Sequence, residues 1–410
     1  MSSIFNQPFL LHNPIQNYQW GTRNQAAFIP QLIGIKPKPD KPYAELWMGA
    51  HPSNSSTIEV EDKLLPLHAL IRRFPEEILG KDLNNQFGQQ LPFMLKVVSV
   101  AEPLSIQAHP SKGLAFLLHK NDPDHYPDDN HKPEIAIALD SLTLLAGFAS
   151  YQESRITIEK YPEIAQFFKT EALANIFPGT PTVKEQQTES IRLLFQTFVH
   201  LYSTKPLLYQ EKTANLARRL RSKNRPSIRE KLFLEAYQKY GKKDIGLFAI
   251  FFLRRINLKQ GESLYIHPGM PHTYLRGNLL ECMANSDNVI RSGLTRKFQD
   301  VKTLMTALDY SDKPVKIFRP ASALAEIHYP TPAAEFNVSR FSTANKRQFF
   351  STAGRVEILL ILDGRGTIRW GKPRRRIAFH RGQSFIIPAV VSEYSVTGKP
   401  ACTIHRVQVP

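Results

Sequence analysis

Apolar positions recur with two different periods along the chain. In the first 150 residues, short apolar runs alternate with turns rich in Pro, Asn, Asp and Gly, and 91–100 and 134–139 are the clearest strand candidates. Between residues 151 and 244, apolar side chains recur every three or four positions, for example in 191–202, which predicts helices with one buried face. Short strands then return and continue to the end of the sequence. The pattern predicts a mainly β protein with an α-helical insertion.

A short internal repeat refines this picture. Residues 261–266 (GESLYI) resemble residues 382–387 (GQSFII), and both copies continue with proline and, further on, a tyrosine. His272 follows the first copy, whereas Ser392 stands at the matching place after the second. Two such repeats resemble two cupin barrels, which are small double-sheet jelly rolls. Only the first copy has a metal-binding type of residue at this place.

The net charge changes the list of conceivable partners. Lys and Arg number 53 against 36 Asp and Glu, which gives +17 at pH 7. Such a balance suits either a polyanion or a small anionic substrate. The densest basic stretch, 212–231, has Leu216 and Leu220 between its cations, as in a solvated helix face. We therefore expect a small anionic ligand and no nucleic-acid partner.

Cysteine content and hydropathy limit the compartment and the metal chemistry. Cys282 and Cys402 are the only cysteines in the sequence, so a disulfide framework or a thiolate metal site is not expected. No apolar run approaches the roughly 18 residues of a membrane span, and 245–253 is predicted to be a buried element of a soluble core. With no signal-peptide pattern at its start, the chain is expected to be cytoplasmic.

Three separate segments contain residues that could bind a metal through nitrogen and oxygen. Gln107 and His109 stand two apart on a predicted strand, so their side chains point to the same face. Glu134 heads another strand, where a buried carboxylate needs a cationic partner. His272 follows a Pro-Gly turn at a strand start. Taken singly, these segments fit a hydrogen-bonded structural histidine or a solvated loop better than a metal site.

Further polar residues accompany these segments. Lys132 lies two positions before Glu134 and could face the same cavity. Arg291 and Lys297 are candidates for binding phosphate, arginine through its planar fork and lysine as a point charge, although each could also be a surface cation. His51, in a segment dense in aromatic and polar residues, is expected to be structural.

Taken together, the segments resemble those of type I mannose-6-phosphate isomerases. The matching motifs are YAELWMGAHPS at 43–53, SIQAHP at 105–110, YPDDNHKPE at 126–134, PHTY at 271–274 and LLECMANSDNVIRSGLT at 279–295, followed by Lys297-Phe298. They occur in the family's order over most of residues 1–310. Two departures, Ser111 after His109-Pro110 and Arg296 before Lys297, leave the metal-binding positions intact.

The resemblance implies a fold and a division into domains. A catalytic cupin barrel is expected to comprise residues 1–150 and 245–315, with a helical domain at 151–244. A second, degenerate cupin-like barrel without metal is expected at 316–410. This agrees with the periodicity and with the internal repeat.

The resemblance also implies a metal centre and a reaction. One zinc ion per chain is expected, bound by Gln107, His109, Glu134 and His272; manganese, cobalt or iron would also suit such ligands. The family reaction interconverts mannose 6-phosphate and fructose 6-phosphate by moving a proton between C1 and C2 through an enediol or enediolate. The roles that the resemblance implies are active-site arginine for Arg291, proton transfer for Lys132 and Glu281, and phosphate binding for Ser105, Lys96 and Lys297.

Other functions are compatible with parts of this pattern. A non-catalytic sugar-phosphate sensor could use the same fold, but it would not need Lys132, Glu281 and Arg291 beside four metal positions. An iron-dependent cupin oxygenase would use histidines and one carboxylate, for which Gln107 is an unusual ligand. We expect a monomeric isomerase with a sugar-phosphate substrate and no membrane partner; the sequence leaves open whether it serves mannose catabolism or GDP-mannose supply.

Overall fold

Strands dominate both ends of the chain and helices its middle. The computed structural model describes residues 4–178, 184–311, 313–321, 326–343, 346–373 and 375–410. None of the helices in these ranges is long and apolar enough to cross a membrane.

In the described residues up to 150, the N-terminal part contains nine strands and five α-helices, with a 3-10 turn at Asn24–Ala26. The strands are β1 (Phe9–Leu10), β2 (Ile15–Gln16), β3 (Glu45–Met48), β4 (Thr57–Val60), β5 (Lys63–Pro66), β6 (Phe93–Val100), β7 (Ile106–Ala108), β8 (Glu134–Ala138) and β9 (Leu142–Phe148). The helices are α1 (Phe28–Ile33), α2 (Leu67–Arg73), α3 (Pro75–Ile78), α4 (Lys81–Phe87) and α5 (Lys112–Asn121). Ser111 accepts a hydrogen bond from the backbone of Leu114 and so caps α5.

The middle of the chain is helical. Its helices are α6 (Tyr151–Lys160), α7 (Pro162–Phe168), α8 (Thr170–Ile176), α9 (Lys184–Thr204), α10 (Pro206–Arg221), α11 (Ile228–Tyr240) and α12 (Gly246–Phe252). Ser150 and Ser227 begin α6 and α11 with capping boxes. Helix α12 lies beyond the predicted end of the helical domain at residue 244. All its residues are buried, so the sequence has no polar positions at helical spacing there.

Strands return after α12. The first group is β10 (Leu253–Leu258), β11 (Ser263–Ile266), β12 (His272–Ala284), β13 (Ile290–Gly293) and β14 (Ile317–Phe318), with α13 (Val301–Ala307) between the last two. The C-terminal group is β15 (Glu326–Tyr329), β16 (Asn337–Ser342), β17 (Gln348–Ser351), β18 (Glu357–Asp363), β19 (Arg365–Trp370), β20 (Arg375–His380), β21 (Ser384–Ile387), β22 (Glu393–Gly398) and β23 (Thr403–Gln408).

One long strand organises the sheet that contains the predicted site. β12 has 13 residues, and its C-terminal half pairs with β6 and β8 while its N-terminal half pairs with β7 and β9. His272 and Glu281 therefore lie on the same strand but have different neighbours. The C-terminal strands form a six-stranded sheet, which also includes β1, and a four-stranded sheet.

The helical part packs around aromatic side chains. Phe167 makes edge-to-face contacts with Phe198, Tyr209 and Phe248, and all four rings are buried. Beside this cluster, the buried carboxylate of Glu230 accepts hydrogen bonds from the Tyr161 hydroxyl at 3.1 Å, the Lys223 ammonium at 2.9 Å and the Ser227 backbone at 2.6 Å. Burial acts to raise the pKa of Glu230, but these donors outweigh it and lower the pKa to about 2.

We predict that Glu230→Gln destabilises the fold in a pH-dependent way. The folded-state pKa lies below the unfolded value, so the ionised carboxylate stabilises the fold above about pH 4.5, and this contribution is lost as the pH falls towards 2. Thermal unfolding should show a loss of roughly 1.5–3 kcal/mol at pH 7 that becomes smaller below pH 4. Glu189→Gln, in an exposed pair with Arg192, is the control and should cost less than about 1 kcal/mol. Equal effects of the two changes would contradict the prediction.

Candidate metal centre and active site

Three predicted ligands come together at the junction of β7, β8 and β12. His109, Glu134 and His272 each offer a ligand atom within 4.8 Å of the others, and all three are buried. His109 Nε2 lies 3.1 Å from Glu134 Oε1, and His272 Nε2 lies 3.4 Å from Glu134 Oε2. Residues from three distant segments of the sequence thus share one small space.

Strand register explains the convergence. β7 pairs with the start of β12, which puts Gln107 directly opposite His272. β8 begins at Glu134, which pairs with Ile266 on one side and Met283 on the other. His272 and Met283 lie at opposite ends of β12, and a register shift between Tyr274 and Arg276 and a φ of 120° at Gly277 separate the two halves of the strand. The register and this break together bring the ligand atoms within 4.8 Å of one another.

Both imidazoles have their second nitrogen fixed. His109 Nδ1 lies 2.9 Å from the Asn288 carbonyl, and His272 Nδ1 lies 3.0 Å from the Met270 carbonyl. A carbonyl accepts only, so each Nδ1 donates a proton and each Nε2 presents a lone pair towards Glu134. Such an orientation is the one that a histidine metal ligand requires.

Lys132 lies 3.6 Å from Glu134 Oε1, but two other buried atoms of the centre lack a partner. His109 Nε2 and Glu134 Oε2 are buried without a hydrogen-bond partner, which is costly unless a cation satisfies them. Burial lowers the pKa of His109 to about 4, so its imidazole is neutral at pH 7. Burial acts to raise the pKa of Glu134, but His109 and Lys132 outweigh it and hold that pKa well below its ordinary value. A divalent cation fits this set of donors.

Gln107 lies beside this set of three residues. Its side-chain amide lies 3.3 Å from His272 Nε2, and Ser105 Oγ lies 3.3 Å from the other end of the amide. A half-turn of the amide directs Oε1 towards His272 and the centre, while Nε2 then donates to Ser105. Ser105, predicted to bind phosphate, therefore directly contacts a predicted metal ligand.

A second group of buried charges lies beside the metal centre. Glu281 faces Lys96 across the β6–β12 ladder, and the Lys96 ammonium is 3.9 Å from Glu281 and 3.6 Å from Glu45. Tyr274 donates a hydrogen bond of 2.9 Å to Glu281 Oε1. Burial, and next the charge of Glu134, raises the pKa of Glu281 to about 7. At neutral pH this carboxyl can therefore either accept or give a proton.

Lys132 reaches the same cavity from the loop before β8. Its side chain is buried, and Nζ lies 3.6 Å from Glu134 Oε1. The loop is fixed by Asp128, which accepts hydrogen bonds from the Ser286 hydroxyl and the Asn288 amide. Since the Asn288 carbonyl also orients His109, one cluster of contacts positions both the loop and a metal ligand.

Arg291 and Lys297 lie on the rim of this site. Arg291 is partly buried on β13, where it pairs in register with Gln107. Partial burial, and next the charge of Arg291, lowers the pKa of Lys297. Two cations are thus close together, and neither forms an ion pair with a carboxylate among the residues described.

Some residues in the cleft were not predicted from the sequence. Glu45 shares Lys96 with Glu281, and the Lys96 ammonium lies 4.9 Å from the Trp47 ring centre. His51, expected to be structural, packs edge-on against Trp47 and lies 3.1 Å from Asp287. The signal for these residues was present in the dense polar and aromatic motif at 43–53, but their partners are remote in sequence.

Comparisons with known proteins agree with this geometry. Residues 9–151 match the model of the type I phosphomannose isomerase catalytic domain, and residues 325–408 match that of the mannose-6-phosphate isomerase cupin domain. The mannose-6-phosphate isomerase of Ogataea parapolymorpha is 34% identical over 95% of this chain and 96% of its own length.

Solved structures extend the similarity to the whole fold. A point mutant of phosphomannose isomerase from Salmonella typhimurium superposes with a TM-score of 0.84 and 29% identity, over 98% of this chain and 99% of that one. A zinc-bound mannose 6-phosphate isomerase gives a TM-score of 0.82 and 28% identity over 98% of this chain and 99% of that one. With its relatives aligned over nearly their full lengths, the chain belongs to the family of type I phosphomannose isomerases.

Proposed function

We propose that the chain is a zinc-dependent aldose–ketose isomerase that interconverts mannose 6-phosphate and fructose 6-phosphate. The observation that carries this proposal is the buried cluster of His109, Glu134 and His272, in which His109 Nε2 and Glu134 Oε2 have no hydrogen-bond partner. A titratable carboxyl, Glu281, lies beside the cluster. The names of the relatives supply the substrate class.

We propose Gln107, His109, Glu134 and His272 as the ligands of one zinc ion. Bound there, zinc would orient substrate oxygens and stabilise negative charge that develops on them. The fixed Nδ1 hydrogen bonds of both histidines and the contact from Ser105 to Gln107 support this ligand set.

The reaction needs a group that takes and returns a proton. From the open-chain aldose, a base removes the proton on C2, and the electron pair of that C–H bond becomes the C1–C2 double bond of the enediol(ate), while the C1 carbonyl oxygen gains the charge or a proton. Protonation at C1 and loss of the C2 hydroxyl proton then give the ketose. The overall change is neutral, so one carboxyl can serve both steps.

We propose Glu281 as the primary candidate for this base and Lys132 as its companion. A pKa near 7 suits proton transfer at neutral pH, and Tyr274, whose own pKa burial holds high, donates a hydrogen bond that orients the Glu281 carboxylate. Lys132 is close enough to Glu134 to reach substrate oxygens at the same centre.

We propose Arg291, Lys297, Ser105 and Lys96 as the groups that select a phosphorylated sugar. Arg291 and Lys297 form no ion pair with a carboxylate among the residues described, so their positive charges are suited to binding a phosphate dianion. Lys96 already neutralises Glu45 and Glu281, so its contribution to phosphate binding is expected to be smaller than theirs.

We further propose two cupin barrels, comprising residues 1–150 with 245–315 and residues 316–410, with a helical domain at 151–244 between the parts of the first. Strand register supports the repeat: Glu134 pairs with Ile266 as Glu357 pairs with Ile387, and Ile266 matches Ile387 in the repeat.

The same register indicates why the second barrel is proposed to lack a metal. Glu281 stands opposite Ala136 as Arg406 stands opposite Leu359, so the second barrel has an arginine where the first has a carboxylate. Glu357 is buried and accepts a hydrogen bond of 2.5 Å from Tyr394. Burial raises the pKa of Glu357, and the positive charge of Arg406 only partly offsets this effect.

The remaining proposals are a monomeric enzyme, located in the cytoplasm and without nucleic-acid or membrane partners. These proposals rest on the sequence alone. Its cations are scattered, which argues against a nucleic-acid partner, and it has no long apolar run, which argues against a membrane partner.

Removal of a proposed ligand should abolish both metal and activity. We predict that His272→Ala loses its zinc and lowers turnover on the order of a hundredfold or more, whereas His328→Ala, at an exposed histidine of β15, changes neither. Metal analysis and a coupled isomerase assay check this, together with chelation and zinc re-addition to the unmodified protein. A His272→Ala protein with one zinc and normal turnover would refute the ligand assignment.

Replacement of the proposed base should separate chemistry from metal binding. Glu281→Gln keeps an acceptor for Tyr274 but removes the base, so we expect kcat to fall roughly 10²–10⁴-fold with zinc retained. Glu357→Gln is the matched control, because it alters the same kind of Tyr–Glu contact in the other barrel, and kcat should stay unchanged. Full turnover by Glu281→Gln, with turnover lost in Lys132→Met, would assign the base to Lys132 instead.

Phosphate recognition can be tested at two adjacent cations. We predict that Lys297→Ala raises KM for mannose 6-phosphate and weakens competitive inhibition by inorganic phosphate, each by about tenfold, the value of one charge-assisted hydrogen bond. The neighbouring Arg296, whose guanidinium donates to the Lys239 carbonyl, gives the control change Arg296→Ala with little effect. Equal KM values for the two variants would exclude Lys297 from phosphate binding.

A further inference from the structure

We propose that Glu335, on the segment that precedes β16, is a positioning residue that fixes the active-site loop carrying Lys132. Glu335 Oε1 lies 2.6 Å from His131 Nε2, and the two residues are 204 positions apart in sequence. His131 immediately precedes Lys132. The inference rests on the isomerase function proposed above and assigns a part in it to the C-terminal region.

The contact is the link between the loop and the C-terminal region. Among the polar contacts of the residues described, it alone joins residues 126–134 to anything beyond residue 315. The opposite side of the loop is fixed by Asp128, through its bonds with Ser286 and Asn288. The loop is therefore fixed on one side by the turn that orients His109 and on the other by Glu335.

Glu335 is itself firmly placed. It is only 7% exposed, and the adjacent Phe336 is completely buried in the core. Its second oxygen, Oε2, has no hydrogen-bond partner, so His131 is the group that compensates this buried carboxylate. Although burial acts to raise it, the hydrogen bond and charge of His131 lower the pKa of Glu335, and Lys112 adds to this effect.

Glu335 acts on Lys132 through the peptide unit that joins His131 to Lys132. Lys132 lies between His131 and Pro133, and proline restricts the backbone of the residue before it. With the His131 ring fixed, Lys132 has little freedom in the direction of its side chain, which ends 3.6 Å from Glu134. Release of His131 should let the loop shift, and a displacement of about 1 Å at a catalytic group can cost on the order of a hundredfold in rate.

The experiment compares Glu335→Ala with Glu326→Ala in the full-length, zinc-loaded chain. Glu326 belongs to the same region and lies 3.6 Å from His328, but both side chains are exposed, so it is a matched histidine–glutamate control. We expect Glu335→Ala to lower kcat on the order of ten- to a hundredfold, with KM for mannose 6-phosphate and zinc content unchanged. Glu335→Asp should restore part of the loss, and Glu326→Ala should behave as the unmodified chain.

A coupling test separates positioning from general destabilisation. His131→Ala combined with Glu335→Ala should be no slower than the slower single variant, because both remove the same contact. The inference is overturned if Glu335→Ala keeps kcat within about twofold of the unmodified chain, if the two changes multiply, or if the only effect is a lower Tm. An unmodified chain that fails to isomerise mannose 6-phosphate would overturn the proposed function and this inference together.

Discussion

The structure depends on one unfavourable arrangement: a buried carboxylate, of which one oxygen lies 3.6 Å from the Lys132 ammonium and the other has no hydrogen-bond partner. Glu134 lies between two imidazoles whose protonated nitrogens are turned away towards backbone carbonyls. Burial of such a charge costs several kcal/mol unless it is fully compensated, and Lys132 lies beside only one of the two oxygens. Much of the nearby architecture, from the common strand β12 to the Asp128 contacts, keeps these groups in place against that cost. A divalent ion would compensate the remaining negative charge. The free energy of binding that ion would add to the stability of the folded site.

The two copies of the internal repeat have different charged residues at one matching register position. Both place a glutamate at the same register position of an inner strand, and both contain a glutamate that accepts a hydrogen bond from a tyrosine. In the C-terminal copy Arg406 stands where Glu281 stands in the first, so a guanidinium takes the place of the second carboxylate. The first copy keeps two carboxylates together, and their mutual repulsion, added to burial, raises the pKa of Glu281 to about 7.

Residue spacing predicted a β-rich chain with helices in its middle, and the structure has this arrangement. Apolar alternation predicted β6 and β8 close to their observed bounds, and the helical stripe at 191–202 lies within the longer α9, because burial of one face imposes a period on the sequence. Helix α12 was not predicted as a helix, because an element that is buried on all sides shows no alternation of polar and apolar positions in the sequence. The motifs that resemble the family likewise indicated Gln107, His109, Glu134 and His272 before any geometry was known, because ligand chemistry restricts the residue types at those positions.

The sequence by itself determined the residue types, their order and the local strand or helix in which each stands. The tertiary structure alone decided which of them meet. It joined Lys96 to Glu45 and Glu281, His51 to Asp287, and His131 to Glu335. It also decided which charges are compensated, and hence that Glu281 titrates near neutrality while Glu134 stays ionised. The physical reason is that spacing along the chain governs only local geometry, whereas long-range pairing and desolvation depend on strand register across the folded sheet.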